Sequence, residues 1–268
     1  MTEKILSFQE VIDELVPGKI TPKDMLPFCH TTTIGCMASI LKTKFAEPRS
    51  CDVYQGEKLL YFFYGKASYE VEKVNQYTDN PPFTLIYDCG TIGEDISRIV
   101  AFDSGGFPLL KARAGFDKEH YTYSPGNIYK LMAYIKLMYE DHVNYLGNEI
   151  NLKKLEAYKD RCLEIEEMLR IYTEVSAGRL PVDERVYSIE LQLQRHVSFN
   201  PKYLVIAYDQ YILPFWGKNF TSAHPEIKVI TYGQAESEAN KFRSLKAGIY
   251  QELMYQKVKS IIENNIPR

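Results

Sequence analysis

Apolar and polar residues are arranged along the chain in a way that predicts strands and helices in mixed order. Apolar residues recur at helical spacing over 8–15 and again over 34–41, which predicts two amphipathic helices. Between them, a short apolar run at 25–28 leads into a Cys-His-Thr-Thr-Thr segment and predicts a strand. Residues 59–64 are apolar on both faces and end at Gly65, which is typical of a buried strand.

The rest of the chain also contains both predicted helices and predicted strands. Helical spacing predicts two helices in the middle, one beginning at Ser124 and Pro125 and one over 152–177 that ends at Gly178. Strict alternation predicts a strand over 185–193. The other predicted elements are strands at 83–87, 99–102, 203–207 and 227–232, and a long helix at 234–264.

This order is not the regular alternation of strand and helix that builds a parallel sheet, so it predicts an α+β fold. The 268 residues are enough for one large domain or two small ones. We find no repeat and no linker-like segment, and we therefore predict a single α+β domain over 1–268. Residues from about 120 to 180 form a helical insertion in this interpretation.

Composition and charge narrow the function classes. The chain is 45% hydrophobic and 25% charged, as in ordinary globular proteins, and its net charge of −3 argues against a broad polynucleotide binder, so any nucleic-acid contact must be local. No apolar run approaches the roughly 18 residues of a membrane span, and the first residues lack a signal-peptide pattern. The five cysteines are scattered without a CxxC pair, which indicates free thiols in the cytoplasm. Metal-ligand spacing is absent, so no metal site is expected.

Tyrosine is unusually common, at 21 residues against one tryptophan. Tyr61, Tyr64 and Tyr69 surround the turn at Gly65, where aromatic rings could stack on a planar ligand. The alternative is that these residues belong to a core strand with a tight turn.

Two polar segments are further candidates for a ligand-binding site. His30 and Thr32 are two residues apart in a predicted strand, so both point to the same side and could bind a polar ligand. The alternative is that a threonine only caps the next helix. Glu190 lies mid-strand on a polar face with Ser188 and Gln192, which predicts either a hydrogen-bonding cleft or an exposed edge.

A glycine-rich loop follows the strand predicted at 99–102. The Asp103-Ser104-Gly105-Gly106 segment superficially resembles the nucleophile loop of trypsin-like proteases, but nothing else in the chain fits that family. We interpret it as a turn that lines a site.

The order of these segments resembles the ADP-ribosyltransferase superfamily. The similarity is to the branch with a His, Tyr, Glu triad shared by diphtheria-toxin-like enzymes and poly-ADP-ribose polymerases. It covers about residues 25–75 and 183–207, with His30-Thr31-Thr32 and Ile40-Leu41 resembling the family's opening strand and helix. The resemblance implies a split, mixed or antiparallel sheet as the core, with the helical middle inserted.

The resemblance also implies a reaction and a site. NAD would be the co-substrate, and the chain would transfer ADP-ribose to a macromolecular acceptor, RNA, DNA or protein. A bacterial toxin or antiviral-defence effector of this kind implies an antitoxin or another inhibitory partner. The implied catalytic residues are Glu190, His30 and Tyr64, and the implied NAD-binding residues are His30, Thr32, Tyr61, Tyr64 and Tyr69.

Two other function classes stay open on the sequence alone. One is a non-catalytic module that binds a protein or nucleic acid through tyrosine-rich strands. The other is a metal-dependent nuclease or hydrolase that uses His30 with Asp103 or Glu190.

Overall fold

A computed structural model of the chain gives an α+β fold with a large mixed sheet and a separate antiparallel pair formed by Phe45–Ala46 and Val197–Ser198. It describes residues 4–16, 18, 20–69, 74–92, 96–111, 115–123, 128–180, 182, 184–207, 220–233 and 245–266, without the side chains of 109 and 111. The strands are β1 Phe28–Thr33, β2 Phe45–Ala46, β3 Arg49–Ser50, β4 Lys58–Tyr64, β5 Pro82–Tyr87, β6 Arg98–Val100, β7 Thr122–Tyr123, β8 Glu190–Leu193, β9 Val197–Ser198, β10 Tyr203–Ala207 and β11 Lys228–Tyr232. The named helices are α1 Phe8–Leu15, α2 Ile34–Thr43, α3 Cys89–Ile92, α4 Phe107–Lys111, α5 Lys130–Met138, α6 His142–Leu146, α7 Leu152–Tyr158, α8 Leu163–Ser176 and α9 Ala247–Glu263.

The sheet has the strand order β11-β10-β5-β1-β4-β8-β6-β7, and β3 pairs with β4 beside this path. Only β10 and β11 run parallel, whereas the other pairs of described strands in the sheet are antiparallel. Helix α9 lies against β5 and β10, where the Thr84 hydroxyl donates to the Met254 sulfur at 3.2 Å. None of the described helices combines the length and the apolar composition needed to cross a bilayer.

Several predicted elements are confirmed by the backbone. Helix α1 begins with a capping box, in which the Ser7 hydroxyl accepts from the Glu10 N–H and the Glu10 carboxylate accepts from the Ser7 N–H. The strand predicted at 59–64 is β4, which ends at Gly65. Gly178 follows α8 with a φ of +68°, a conformation that suits glycine at the end of a helix.

Other elements differ from the prediction. The strand predicted over 185–193 is a 3₁₀ turn at Glu184–Tyr187 followed by β8, because buried contacts of the turn override the alternating pattern. The long helix predicted over 152–177 is broken into α7 and α8 by the 3₁₀ turn Lys159–Arg161. The final helix begins at 247, and the predicted stretch 234–244 lies outside the described residues, as do Ser124 and Pro125.

Strands β1 and β4 diverge near the middle of the sheet. They pair at two positions, Phe28 with Tyr64 and Cys29 with Phe63. Beyond these positions β1 continues along β5 as far as Thr33, while the other end of β4 pairs with β3. We call the opening between residues 30–33 of β1 and residues 58–62 of β4 the strand fork.

Candidate functional site

The strand register divides the predicted site residues between the two faces of the sheet. Residues directly opposite each other in antiparallel strands project to the same face. One face, which we call the His30 face, carries Phe28, His30, Thr32, Phe62 and Tyr64. The other, the Glu190 face, carries Cys29, Thr31, Tyr61, Phe63, Glu190 and Gln192. The sheet therefore separates Glu190 from both His30 and Tyr64.

His30 lies in the strand fork and binds the opposite strand. Its Nδ1–H donates to the main-chain carbonyl of Tyr61 at 2.8 Å, and its ring lies 5.4 Å from that of Phe62 between centroids. Burial lowers the pKa of His30, so the imidazole is neutral at pH 7. Because Nδ1 donates, Nε2 carries the lone pair and is a hydrogen-bond acceptor.

Thr32 lies two residues beyond His30 on the same face, beside the first turn of α2. Burial raises the pKa of the Cys36 thiol, but hydrogen bonds from Thr32 and Thr33 and the charge of Arg49 outweigh burial and leave that pKa lowered. The hydrogen bond to the Cys36 thiol therefore gives Thr32 a local structural role at the start of α2.

Tyr61 is the predicted tyrosine that contacts both parts of the site. Its carbonyl accepts from His30, while its side chain projects to the Glu190 face. The side chain is partly buried against the small cluster of Cys51, Tyr54 and Leu59, and its hydroxyl lies 2.6 Å from the Cys51 sulfur. Burial raises the pKa of Tyr61, and the nearby charge of Glu190 raises it further.

Tyr64 and Tyr69, unlike Tyr61, make contacts that hold parts of the fold together. The Tyr64 side chain is completely buried; its hydroxyl accepts from the Leu26 N–H and hydrogen-bonds the Nε2 of His142, both at 2.9 Å. The main chain of Tyr69 is held by the Tyr255 hydroxyl of α9, which accepts from the Tyr69 N–H at 2.7 Å. The structure does not bring either residue to His30.

Glu190 is buried and neither at an open cleft nor at an exposed edge. Only 1% of the residue is exposed, and Ser188, just before β8, and Gln192, within it, are equally buried. Ser104 donates to the Glu190 carboxylate through its N–H at 3.0 Å and its hydroxyl at 2.8 Å, and the Gln192 amide donates as well. Burial, together with the charge of Asp103, raises the pKa of Glu190 to about 8.

The glycine-rich loop at 103–106 is part of this cluster. Asp103 accepts from the Ser68 hydroxyl at 2.9 Å and from the Gly105 N–H at 2.8 Å. Burial also raises the pKa of Asp103, which is electrostatically coupled to Glu190. The sequence indicated that this loop lines a site but gave no sign that Ser104 binds Glu190, because the two residues are 86 positions apart.

Tyr54 is a member of the site that the sequence gave no reason to select. Its ring is covered by the Arg98 guanidinium at 4.1 Å and by the Lys118 ammonium at 4.7 Å from the centroid. Burial raises the pKa of Tyr54 to about 12, with a contribution from the charge of Glu190. Tyr54 and Tyr61 thus belong to one small apolar cluster that lies close enough to Glu190 to be affected by its charge.

Comparison with protein-family models, with curated proteins and with solved structures returns no match to this chain. Among the described residues, no three His, Cys, Asp or Glu side chains are grouped so that they could hold a metal ion.

Proposed function

We propose that the chain is an NAD-dependent ADP-ribosyltransferase whose substrate binds at the strand fork. The observation that carries the proposal is the position of Tyr61, whose carbonyl holds His30 and whose side chain is a neighbour of Glu190. The divergence of β1 from β4 also supports a split-sheet core of the kind found in that superfamily.

His30 has the protonation state that a ribose-binding histidine needs. Its Nδ1–H is engaged by the Tyr61 carbonyl, so the ring is fixed in the tautomer with an acceptor at Nε2. A ribose hydroxyl can donate to that nitrogen without a change in protonation. The His30 ring and the Tyr61 side chain project to opposite faces of the sheet, so in this proposal NAD lies across the open strand fork, where His30 binds a ribose hydroxyl from one side and Tyr61 contacts the nicotinamide from the other.

Tyr61 replaces Tyr64 as the residue that stacks on nicotinamide. The Tyr64 side chain is fully buried with its hydroxyl engaged, whereas Tyr61 is partly exposed next to the fork. A ring on Tyr61 can hold the planar leaving group by stacking, and the surrounding apolar cluster excludes water.

Glu190 acts electrostatically in this proposal, because its carboxyl group is buried under Ser104 instead of facing the fork. Cleavage of the nicotinamide–ribose bond builds positive charge on the ribose, and a nearby carboxylate stabilises that charge. The positively charged nicotinamide ring of NAD favours ionisation of a carboxyl group close to it. Hydrogen bonds from Ser104 lower the pKa of Glu190, but burial and the charge of Asp103 outweigh them, so the carboxylate form at pH 7 depends on the positive charge of bound NAD.

The test is nicotinamide release from labelled NAD, measured with RNA, DNA and cell protein supplied in turn as acceptors. We expect Tyr61→Leu to lower the rate by about tenfold or more, and Glu190→Gln by roughly 10²–10³. Tyr61→Phe keeps the ring and retains most of the activity. The matched control is Tyr77→Leu, since Tyr77 is 69% exposed. No release by the wild-type chain, or an equal rate for Tyr61→Leu and Tyr77→Leu, contradicts the proposal.

A further inference from the structure

A pocket of about 440 Å³ lies at the opposite end of β1 from the strand fork. Met25 and Pro27, which precede β1, form one wall, and Ile261 and Ile262 of α9 form another. Tyr203, the first residue of β10, completes it. This volume and these apolar walls match those of small-molecule sites.

The polar groups of the pocket favour an anionic ligand. The charged residues that line it are Lys23, Asp88 and Lys202. Lys202 and Asp88 lie 3.3 Å apart, but both side chains are at least half exposed, so their attraction is weak. The ammonium groups of Lys202 and Lys228 each lie 5.8 Å from the centroid of the Tyr203 ring. Lys202 and Lys228 therefore flank the Tyr203 ring, and Lys23 adds a further positive charge to the lining of the pocket.

We propose that this pocket binds a nucleotide, either free or as part of a single strand. A nucleobase stacks on Tyr203, and its phosphate pairs with Lys202 and a neighbouring lysine. An aromatic ring with cations beside it supplies both interactions that bind a planar base joined to an anion. A ligand with only a ring or only an anionic group would leave part of the pocket without a partner, because the apolar walls match a ring and the lysines match a negative charge.

The pocket is separate from the proposed NAD site. Tyr203 pairs with Ile86 of β5, and β1 lies between β5 and the strand that carries Tyr61. Nucleotide binding at this pocket therefore does not depend on the transferase activity. Loss of nucleotide binding and loss of nicotinamide release are measured separately.

Calorimetric titration of the intact chain at low salt tests the proposal. We expect saturable binding of AMP and UMP, and much weaker binding of adenosine, which lacks the charge, and of inorganic phosphate, which lacks the ring. Tyr203→Leu should weaken AMP binding by about tenfold, as loss of base stacking does elsewhere. Lys202→Gln, a change at a half-exposed side chain, should weaken binding and reduce its dependence on salt.

Matched controls are Tyr77→Leu and Lys153→Gln, both at exposed positions. A short single-stranded RNA that binds more tightly than UMP identifies a strand as the ligand, whereas equal affinity identifies the free nucleotide. The proposal is overturned if neither the mononucleotides nor the RNA saturates the wild-type chain up to about 1 mM. It is also overturned if Tyr203→Leu and Lys202→Gln both bind like their controls. Nicotinamide release by Tyr203→Leu should equal that of the wild type.

Discussion

Ser104 donates two hydrogen bonds to the Glu190 carboxyl group, at 3.0 Å from its N–H and at 2.8 Å from its hydroxyl. This contact seals the carboxyl group from solvent beside a second buried acid, Asp103. Two acids that share one desolvated region cannot both ionise without a large electrostatic cost. The cluster is therefore sensitive to pH.

The first prediction concerns that sensitivity. With the pKa of Glu190 raised from 4.5 to about 8, the folded chain binds more protons than the unfolded chain between these values. Stability from this group is therefore fully present below about pH 4.5 and falls as pH rises towards 8. Glu190→Gln should remove this dependence, so that the wild type loses on the order of a few kcal/mol relative to the variant between pH 5 and 8.

Urea denaturation across this pH range measures the effect. Glu149→Gln is the control, because Glu149 is exposed. A difference between wild type and Glu190→Gln that stays constant with pH would show that the carboxyl group titrates as in water.

The second prediction separates Tyr64 from the proposed site. Tyr64→Phe removes the hydroxyl that binds the Leu26 N–H and His142. Because this leaves a buried N–H without its partner, we expect a loss of about 1–3 kcal/mol in the free energy of unfolding. Nicotinamide release should be unchanged. A variant that folds as stably as Tyr77→Phe, or that loses activity at full stability, contradicts these assignments.

The third prediction uses two glycines with similar backbone conformations. Gly65 has a φ of +60°, and a Cβ there would lie 2.6 Å from the Cδ1 of Leu26, a fully buried side chain. Gly56 has a φ of +83° with nothing within 4 Å of such a Cβ. Gly56→Ala should cost about 1–2 kcal/mol from backbone strain alone. Gly65→Ala should cost a further ~1–3 kcal/mol from the clash.

Thermal and urea unfolding of the two alanine variants give the comparison. Equal losses at both positions would mean that Leu26 moves aside freely.

The fourth prediction concerns Lys66, whose Nζ donates to Asn148 at 2.6 Å and to the Tyr187 carbonyl at 3.0 Å. Burial lowers the pKa of Lys66 from 10.5 to about 7. The unfolded chain therefore binds more protons between these values, and stability rises with pH across that window. Lys66→Met should abolish this rise, which the difference in unfolding free energy between pH 7 and 9.5 measures. Lys153→Met, at an exposed position, should leave it intact; a rise retained in Lys66→Met refutes the prediction.

Local sequence patterns predicted the fold class and most helices and strands. The pairing of the strands, however, determines which residues lie together in the candidate site. The sequence run at 59–64 is apolar on both faces, so it gives no periodic signal that distinguishes Tyr61 from Tyr64. Alternation along β4 puts the two tyrosines on opposite faces, but only the pairing with β1 and β8 decides which face carries His30 and which carries Glu190. The same holds for Glu190, whose alternating surroundings predicted a polar face, whereas Ser104 covers it from a distant part of the chain.

The position of α9 has a consequence for how the chain is made. Strand β1 and the helix that lies against its neighbour β5 are separated by roughly 210 residues. At a synthesis rate of about 5–20 residues per second, the ribosome needs on the order of 10–40 s to reach the helix after finishing the strand. During that time the apolar strands lack their cover. The apolar surface that α9 later covers is therefore exposed to aggregation on the ribosome until that helix emerges.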